Sequence, residues 1–471
     1  MSGIEANITM EDRLEYLDKN IDDMFLVFNA IIVSLMQAGF ACLEAGCVNS
    51  KNVTSIIMKN VLDLFICGIC YWLVGYSLAY SPGNSLLGYS WWAGVGVSET
   101  SMAHWFFQFI FAATAATIIS GAVAERCNFA AYIVYSSVIS GFVYPVVSHW
   151  AWGEGGFLAT LGYRDFAGSG VVHAVAGVCS FIAAAFVGPR IGRFENGLVV
   201  EKPGHSVPLV GIGGLLLVSG FLAFNGGSLG HISQPGDSEI VARSITSTIM
   251  GGSGAAVVVL VLSKVGLLGP PTWAFSTTLN AVLAGMVSIC AAADIYSTLG
   301  AIITGAIACP VYLVLRSFVI YLRVDDPLDA VAVHFGAGVW GVIAMPIFSK
   351  GGLAYGVDNE SVAQLWHNTV GVLVMIIWST VCSVLLFGLL RLLNLLRVSE
   401  SEELEGLDIS KHNEPAYPEK GWHVSHPPSV HNHNTLKKHG SYSPALRAFS
   451  KQPTLAFDNM AMEMENHQRL R

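Results

Sequence analysis

Two histidines stand in near-identical surroundings. His173 opens the string His173-Ala-Val-Ala176-Gly177-Val178, and His334 opens His334-Phe-Gly-Ala337-Gly338-Val339. Both read H-x-x-A-G-V, 161 residues apart. Each lies a little inside a long apolar run and follows an aspartate near the start of that run, Asp165 in one case and Asp329 in the other. An ionisable side chain within a membrane is costly and normally faces the protein interior or an aqueous path. Two adjacent neutral imidazoles offer an N–H donor and an unprotonated nitrogen. They can relay a proton and still turn an apolar ring face to a small guest. The plainer alternative is a pair of core histidines satisfied by backbone carbonyls, and the repetition favours function over it. No third Cys, His or carboxylate recurs at ligand spacing, so no metal or other cofactor is expected.

The elements that carry these residues follow from composition. The chain has 471 residues, 53% hydrophobic and 12% charged, against roughly 25% charged in ordinary soluble domains. Residues 391–471 hold ten of the 24 Lys and Arg and ten of the 33 Asp and Glu, which leaves 37 charges in the first 390 residues. That excludes a cytosolic globular enzyme, a nucleic-acid binder and a disordered scaffold. Apolar runs of membrane-spanning length occupy 24–46, 56–80, 104–123, 129–151, 168–188, 207–228, 241–263, 272–291, 297–320, 331–348 and 365–391. They are long and do not alternate apolar with polar, so they predict helices rather than barrel strands. The 49 glycines suit close helix packing in lipid. Residues 1–20 are polar and acidic and do not read as a cleavable signal peptide. The nine Cys are scattered, most of them in apolar runs, and suggest no disulfide framework.

Eleven crossings put the termini on opposite sides. With the N-terminus outside, Lys51, Arg126, Arg190, Arg193, Lys202, Lys264, Arg316 and Arg323 are cytoplasmic, and only Arg164 and Lys350 fall in external loops. This is the expected excess of positive charge inside. Two glycosylation sequons, at Asn7 and Asn359, then lie outside. The repeated histidine motif falls in the fifth and tenth segments, so segments 1–5 and 6–10 read as two copies. Five helices per copy is odd, so the copies insert in opposite orientations, with the functional site near the midplane between them. The expected organisation is an extracellular N-terminus at 1–20, an eleven-helix membrane domain at 21–396, a structured cytoplasmic segment at 397–420 and a disordered tail at 421–471. The tail histidines His423, His426, His431 and His433 read as part of a solvated low-complexity stretch rather than a metal site.

The string from Asp165 to His173, DFAGSGVVH followed by AVAG, resembles the signature of the Amt/Mep/Rh ammonium transporter family. So do LNAVLAGMVSICAAAD (279–294), SGAVAERCNFAAYIVY (120–135), FNGGS (224–228) and DAVAVHFGAGVWG (329–341). The similarity spans residues 22–417 and is that of the Amt branch. It implies an all-α polytopic membrane protein of eleven transmembrane helices, two inverted five-helix repeats plus a long final helix, assembled as a homotrimer in the plasma membrane with one pore per subunit. It implies a transporter rather than an enzyme, acting on ammonium or ammonia and extending to methylammonium.

The resemblance also assigns roles. Trp152 in the WGEGG loop, Phe111 and Ser228 match an outer vestibule that holds a cation, with Trp150 as the other tryptophan near that loop. An aromatic face attracts a cation by roughly 0.5–2 kcal/mol, and a hydroxyl accepts one N–H. Asp165 matches the family's buried aspartate, which favours a nearby cation and caps the fifth helix. Asp329 is expected as its counterpart in the second copy. Phe111 and Phe224 match a stacked phenyl gate, beneath which His173 and His334 line the pore. Phe221 stands where some relatives carry Trp. Residues 396–417 resemble a regulatory segment that packs on a neighbouring subunit, with Ser410 where plant relatives carry a phosphorylated threonine and Asn413 where the motif usually has Gly. The implied mechanism recruits ammonium at the vestibule, strips a proton as the cation loses water, and conducts ammonia past the gate and the twin histidines. The alternatives are a Rh-type ammonia gas channel, an ammonium sensor, and a membrane enzyme using the histidines with a metal or haem.

Overall fold

A computed structural model describes residues 9–418. Eleven apolar helices make up the body: α1 Met10–Cys47, α2 Ser50–Tyr80, α3 Glu99–Ala122, α4 Phe129–Leu161, α5 Ser169–Val187, α6 Val207–Gly227, α7 Asp237–Lys264, α8 Phe275–Ile289, α9 Thr298–Tyr321, α10 Val331–Phe348 and α11 Asn359–Leu392. Ten are long and apolar enough to cross a membrane. The shorter α8 has 15 residues, which rise about 22 Å against a hydrocarbon core of about 30 Å. Its span is completed by irregular backbone after Cys290, whose carbonyl and that of Ala291 accept from Ala167 N (2.8 Å) and Phe166 N (3.0 Å). Non-helical backbone is tolerated at such depth because it is paired within the protein.

The expected spans lie within about six residues of these helices except at two places: α4 carries a further short turn, Phe157–Leu161, beyond the expected end at 151, and α1 begins early. The first helix starts at Met10, well ahead of residue 24, so the N-terminal region expected at 1–20 is helical from residue 10. The cause is local. Thr9 and Asp12 form a capping box, and Glu11 and Asp12 place negative charge in the first turn. Periodicity of apolar residues does not register such a polar extension. Asn359 is exposed at the start of α11, whereas Asn7, the tail from 421 and its histidines lie outside the described residues.

The two five-helix halves meet along α1 against α6 and α5 against α10. The second contact explains the repeated motif. A side chain at Gly177 would come within 2.7 Å of the Cα of Phe335, and one at Gly338 within 2.8 Å of the backbone nitrogen of Ala174. Each motif's glycine therefore lies against the other motif's backbone, and the reciprocal fit lets the two helices touch at the residues beside the histidines. Both histidines also sit in π-helical turns, Ser169–Ala174 and Val331–Gly336, a wound-out geometry common at functional positions.

On the face that carries the C-terminal segment, a buried ion cluster ties the halves together. Asp325 accepts from Arg190 (2.8 Å) and lies within ion-pair distance of Arg193 (3.3 Å), its carbonyl accepts from Arg126 (2.6 Å), and Arg190 also pairs with Glu125. Burial pushes the Asp325 carboxyl up, but the Arg190 and Arg126 guanidiniums outweigh it and hold the group down to about 2. Two short helices follow α11, α12 Glu400–Glu405 and α13 Leu407–Ser410. They are clamped to the same face. Glu403 bonds Arg397 (2.8 Å) and Ile191 N (2.8 Å), Asp408 accepts from Ser55 N (2.9 Å), and Asn52 accepts from Leu407 N (2.9 Å). Asn413 adopts the left-handed backbone (φ 53°) that its usual Gly would favour.

Candidate functional site

Trp152, Phe111, Phe224, His173 and His334 form a continuous column between the two halves. Helix α6 presents Leu217, Phe221, Phe224 and Ser228 on one stripe, because steps of three and four residues share a helix face. Helix α3 presents Phe107 and Phe111 in the same way. The Phe111 and Phe224 rings lie face to face, centroids 4.0 Å apart and 12° from parallel. Trp152 meets Phe111 edge-on at 6.3 Å. On the other side of the stack, His173 lies 5.5 Å from both Phe224 and Phe221 and 5.2 Å from His334, ring planes 18° apart.

Each polar member has a defined partner. Trp152 donates its indole N–H to the backbone carbonyl of Asp165 (2.7 Å). Trp150 donates to Leu86 O and packs on Phe157 and Trp378, turned away from Phe111. Ser228 donates its hydroxyl to Phe224 O (2.7 Å), so its oxygen lone pairs remain for an incoming N–H donor. Asp165 is buried, with both oxygens occupied. Oδ1 accepts from Gly168 N (3.0 Å) and Ser169 N (2.9 Å), and Oδ2 from Gly170 N (2.8 Å), Val171 N (3.0 Å) and the Tyr163 hydroxyl (3.1 Å). Five donors converge on it, so its geometry is that of a cap holding the start of α5 eight residues before His173.

The counterpart of Asp165 is Asp326 and not Asp329. Asp326 lies 161 residues after Asp165, the separation of the histidines, and accepts from Val331 N (2.7 Å) at the start of α10. Asp329 has a left-handed backbone and turns to Arg316 (3.0 Å), Tyr312 (2.8 Å) and Asn280 (3.2 Å). The repeat offset alone identifies Asp326; nearness to the helix start misled. Burial and the charge of Asp329 push Asp326 up to about 7.

The two Nδ1 atoms of the histidines are 3.2 Å apart. One must carry the proton and the other accept it. It follows that one ring keeps an unprotonated Nε2 and the other keeps an Nε2–H. The pair thus offers one acceptor and one donor while remaining neutral. The Nε2 of His173 is buried with no partner among the described residues. Below His334 opens a cavity of about 30 Å³ lined by Phe221, Leu217, Asn280, Leu328 and Glu44, room for about one water-sized guest. A wider cavity of about 320 Å³ adjoins it, sharing Asn280 and Leu328 and lined by Arg190, Arg193, Lys202, Arg316, Asp326 and Asp329. Among the described residues no group of three metal-ligating side chains is present.

Glu44, Lys59 and Asp63, buried within α1 and α2, are among the ionisable residues that escaped the sequence reading. Asp63 accepts from Tyr132 (2.8 Å), Ser136 (2.8 Å) and Thr117 (3.1 Å), and Lys59 donates to Cys127 O (3.3 Å). The signal was present, since a charge inside an apolar run is itself notable.

A family model described as Ammonium Transporter Family matches residues 24–417. A Caenorhabditis elegans relative is 44% identical over 437 residues, covering 86% of this chain and 81% of its own. Ammonium transporter 1 member 3 of Solanum lycopersicum is 36% identical over 431 residues, covering 84% and 93%. Among solved structures, one described as a Sensor Amt Protein superposes with a TM-score of 0.79 at 32% identity, covering 84% of this chain and 99% of that one. Candida albicans Mep2, at 23% identity and a TM-score of 0.73, shares the fold.

Proposed function

This chain belongs to the ammonium transporter family, and we propose on that footing that it carries ammonium across the plasma membrane as ammonia plus a separately handled proton. The observation that supports this most is the column from Trp152 through the Phe111–Phe224 stack to the facing histidines.

Ammonium is held at the outer mouth by the ring faces of Trp152 and Phe111 and by the free lone pairs of Ser228. Asp165 supports this site from behind, fixing Trp152 through its carbonyl and α5 through its carboxylate. The stacked phenyl rings exclude the water that a hydrated ion would bring. An ion stripped of water in a low-dielectric passage is strongly disfavoured, so ammonium gives up its proton while potassium, which has none to give, is turned back. Ammonia then meets the neutral histidine pair, which can donate to its lone pair through one ring and accept from its N–H through the other. In this reading the N-terminus is extracellular, the C-terminal segment is cytoplasmic, the subunit assembles as a homotrimer, and Asn7 is open to glycosylation. Phosphorylation of Ser410, which donates to Gly406 O (2.8 Å), regulates docking of the C-terminal segment.

Growth on limiting ammonium in a host lacking its own transporters tests the reading. Rescue is expected from the wild type and its loss from His173→Ala and Phe224→Ala at equal surface expression. Rescue by both variants refutes it. A second reading, an ammonium sensor, is favoured by the likeness to a structure described as a sensor, and ammonium flux in vesicles containing the purified protein separates the two.

A further inference from the structure

The column does not end at the histidines. The small cavity beneath His334 is lined by one acid, Glu44, and one base, His334, among the described residues. Glu44 is 1% exposed, near the end of α1. Its Oε2 is pinned by Asn60 (3.0 Å) and Ser120 (2.9 Å). Its Oε1 takes no hydrogen bond from the described residues and faces Gly121, where the absence of a side chain leaves that oxygen open to the cavity. Asn280 and Leu328 separate this cavity from the wider one with its four basic side chains. One fixed and one open oxygen, set between a neutral histidine pair and a cavity lined by charged side chains, is the arrangement of a proton-exchanging group rather than of a purely structural carboxyl.

We propose that Glu44 returns the proton to ammonia where the pore meets the C-terminal side. This rests on the transport reading above. The O–H bond at Oε1 of neutral Glu44 breaks, its proton joins the nitrogen lone pair of ammonia, and ammonium and a carboxylate result. Asn60 and Ser120 hold the carboxylate. Ammonium leaves past Asn280 for the vestibule, and the carboxylate takes a proton from hydronium there. The titratable groups around Glu44 are His334 across the cavity, Lys59 and Asp63 on α2, Tyr135 on α4, and Cys47 on its own helix. Lys59 and Asp63 are engaged with Cys127, Tyr132, Ser136 and Thr117 and do not line the cavity, and Cys47 lines the wider one.

The test uses the full-length protein in vesicles oriented with the C-terminal side inward, an ammonium gradient and a set internal pH. Glu44→Gln keeps an acceptor for Asn60 and Ser120 but has no proton to exchange. Its maximal rate should fall about tenfold or more, as for loss of a general acid, with the outer half-saturation concentration unchanged. The wild-type rate should vary with internal pH, the variant's should not, and Glu44→Asp should restore part of both. Glu44→Gln with the wild-type rate and the wild-type dependence on internal pH overturns the proposal. Should Glu44→Gln fail to fold, Ser120→Ala decides: it frees Oε2 but keeps the acid, so a displaced internal-pH profile supports the proposal and an unmoved one overturns it. A wild type that carries no ammonium refutes the transport reading and this step together, whereas an active wild type with an unaltered Glu44→Gln refutes this step alone.

Discussion

Asp165→Asn separates a structural carboxylate from one that acts on the passenger. The substitution exchanges one acceptor oxygen for an NH2 group. Whichever way the amide turns, two backbone N–H groups lose their acceptor, Gly168 and Ser169 or Gly170 and Val171. A buried donor left without a partner costs about 1–3 kcal/mol, so the pair costs about 2–6 kcal/mol. At about 2 °C per kcal/mol for a large domain, the unfolding temperature should drop by about 4–12 °C. The same shift would move Trp152, whose indole is tied to the Asp165 carbonyl, and ammonium flux should fall with it. The assay pairs thermal unfolding of purified protein at one fixed scan rate, because such unfolding is commonly irreversible, with flux in vesicles. Lost flux at an unchanged unfolding temperature would refute the capping argument and return Asp165 to direct electrostatic action on the cation.

Three further outcomes are expected. Gly177→Ala places a methyl group on the backbone of Phe335; overpacking of this kind costs about 1–3 kcal/mol, and flux should fall more than stability because the histidines are forced apart. Asp325→Asn strips the buried Arg190 and Arg193 of their shared partner and should cost about 3–5 kcal/mol, read as a lowered unfolding temperature. The wild-type group, held at about 2, contributes its full stability above its unfolded value of about 3.9 and loses it as pH falls towards 2. Ser410→Asp removes the donor to Gly406 O and adds charge beside Asp408; limited proteolysis should cut residues 397–417 faster than in the wild type, and equal cutting counts against regulation there.

The fold was legible because hydrocarbon imposes a simple grammar: runs of about 20 apolar residues, cations clustered on one face, and a repeat with an odd helix count. The histidine pair was legible for the same reason, since repetition at the same depth implies meeting at the axis. Asp326 is hard to see in the sequence because it lies five residues before α10 while Asp329 lies two, so proximity points to Asp329 and only the repeat offset points to Asp326. The polar extension of α1 was missed because capping by Thr9 and Asp12 leaves no apolar period. Glu44, Lys59 and Asp63 were passed over because a pairing such as Asp63 with Tyr132 and Ser136 spans about 70 residues and exists only once α2 and α4 pack. Their charges could be seen in the sequence, but their partners could not.

The ion cluster around Asp325 and the glycine crossing of α5 with α10 have a mechanical consequence. One bolts the two halves at the rim, the other at the centre, and neither can slide without exposing an unpaired buried charge or forcing backbone into backbone. A carrier that rocks its halves to change the side it faces needs a loose seam, and this seam is fastened at two heights. On the proposed reading, discrimination then falls on the chemistry of the passenger, with small rings and single protons as the moving parts. Turnover should then rise only gently with temperature, in the manner of a fixed pore rather than a machine that changes shape each cycle.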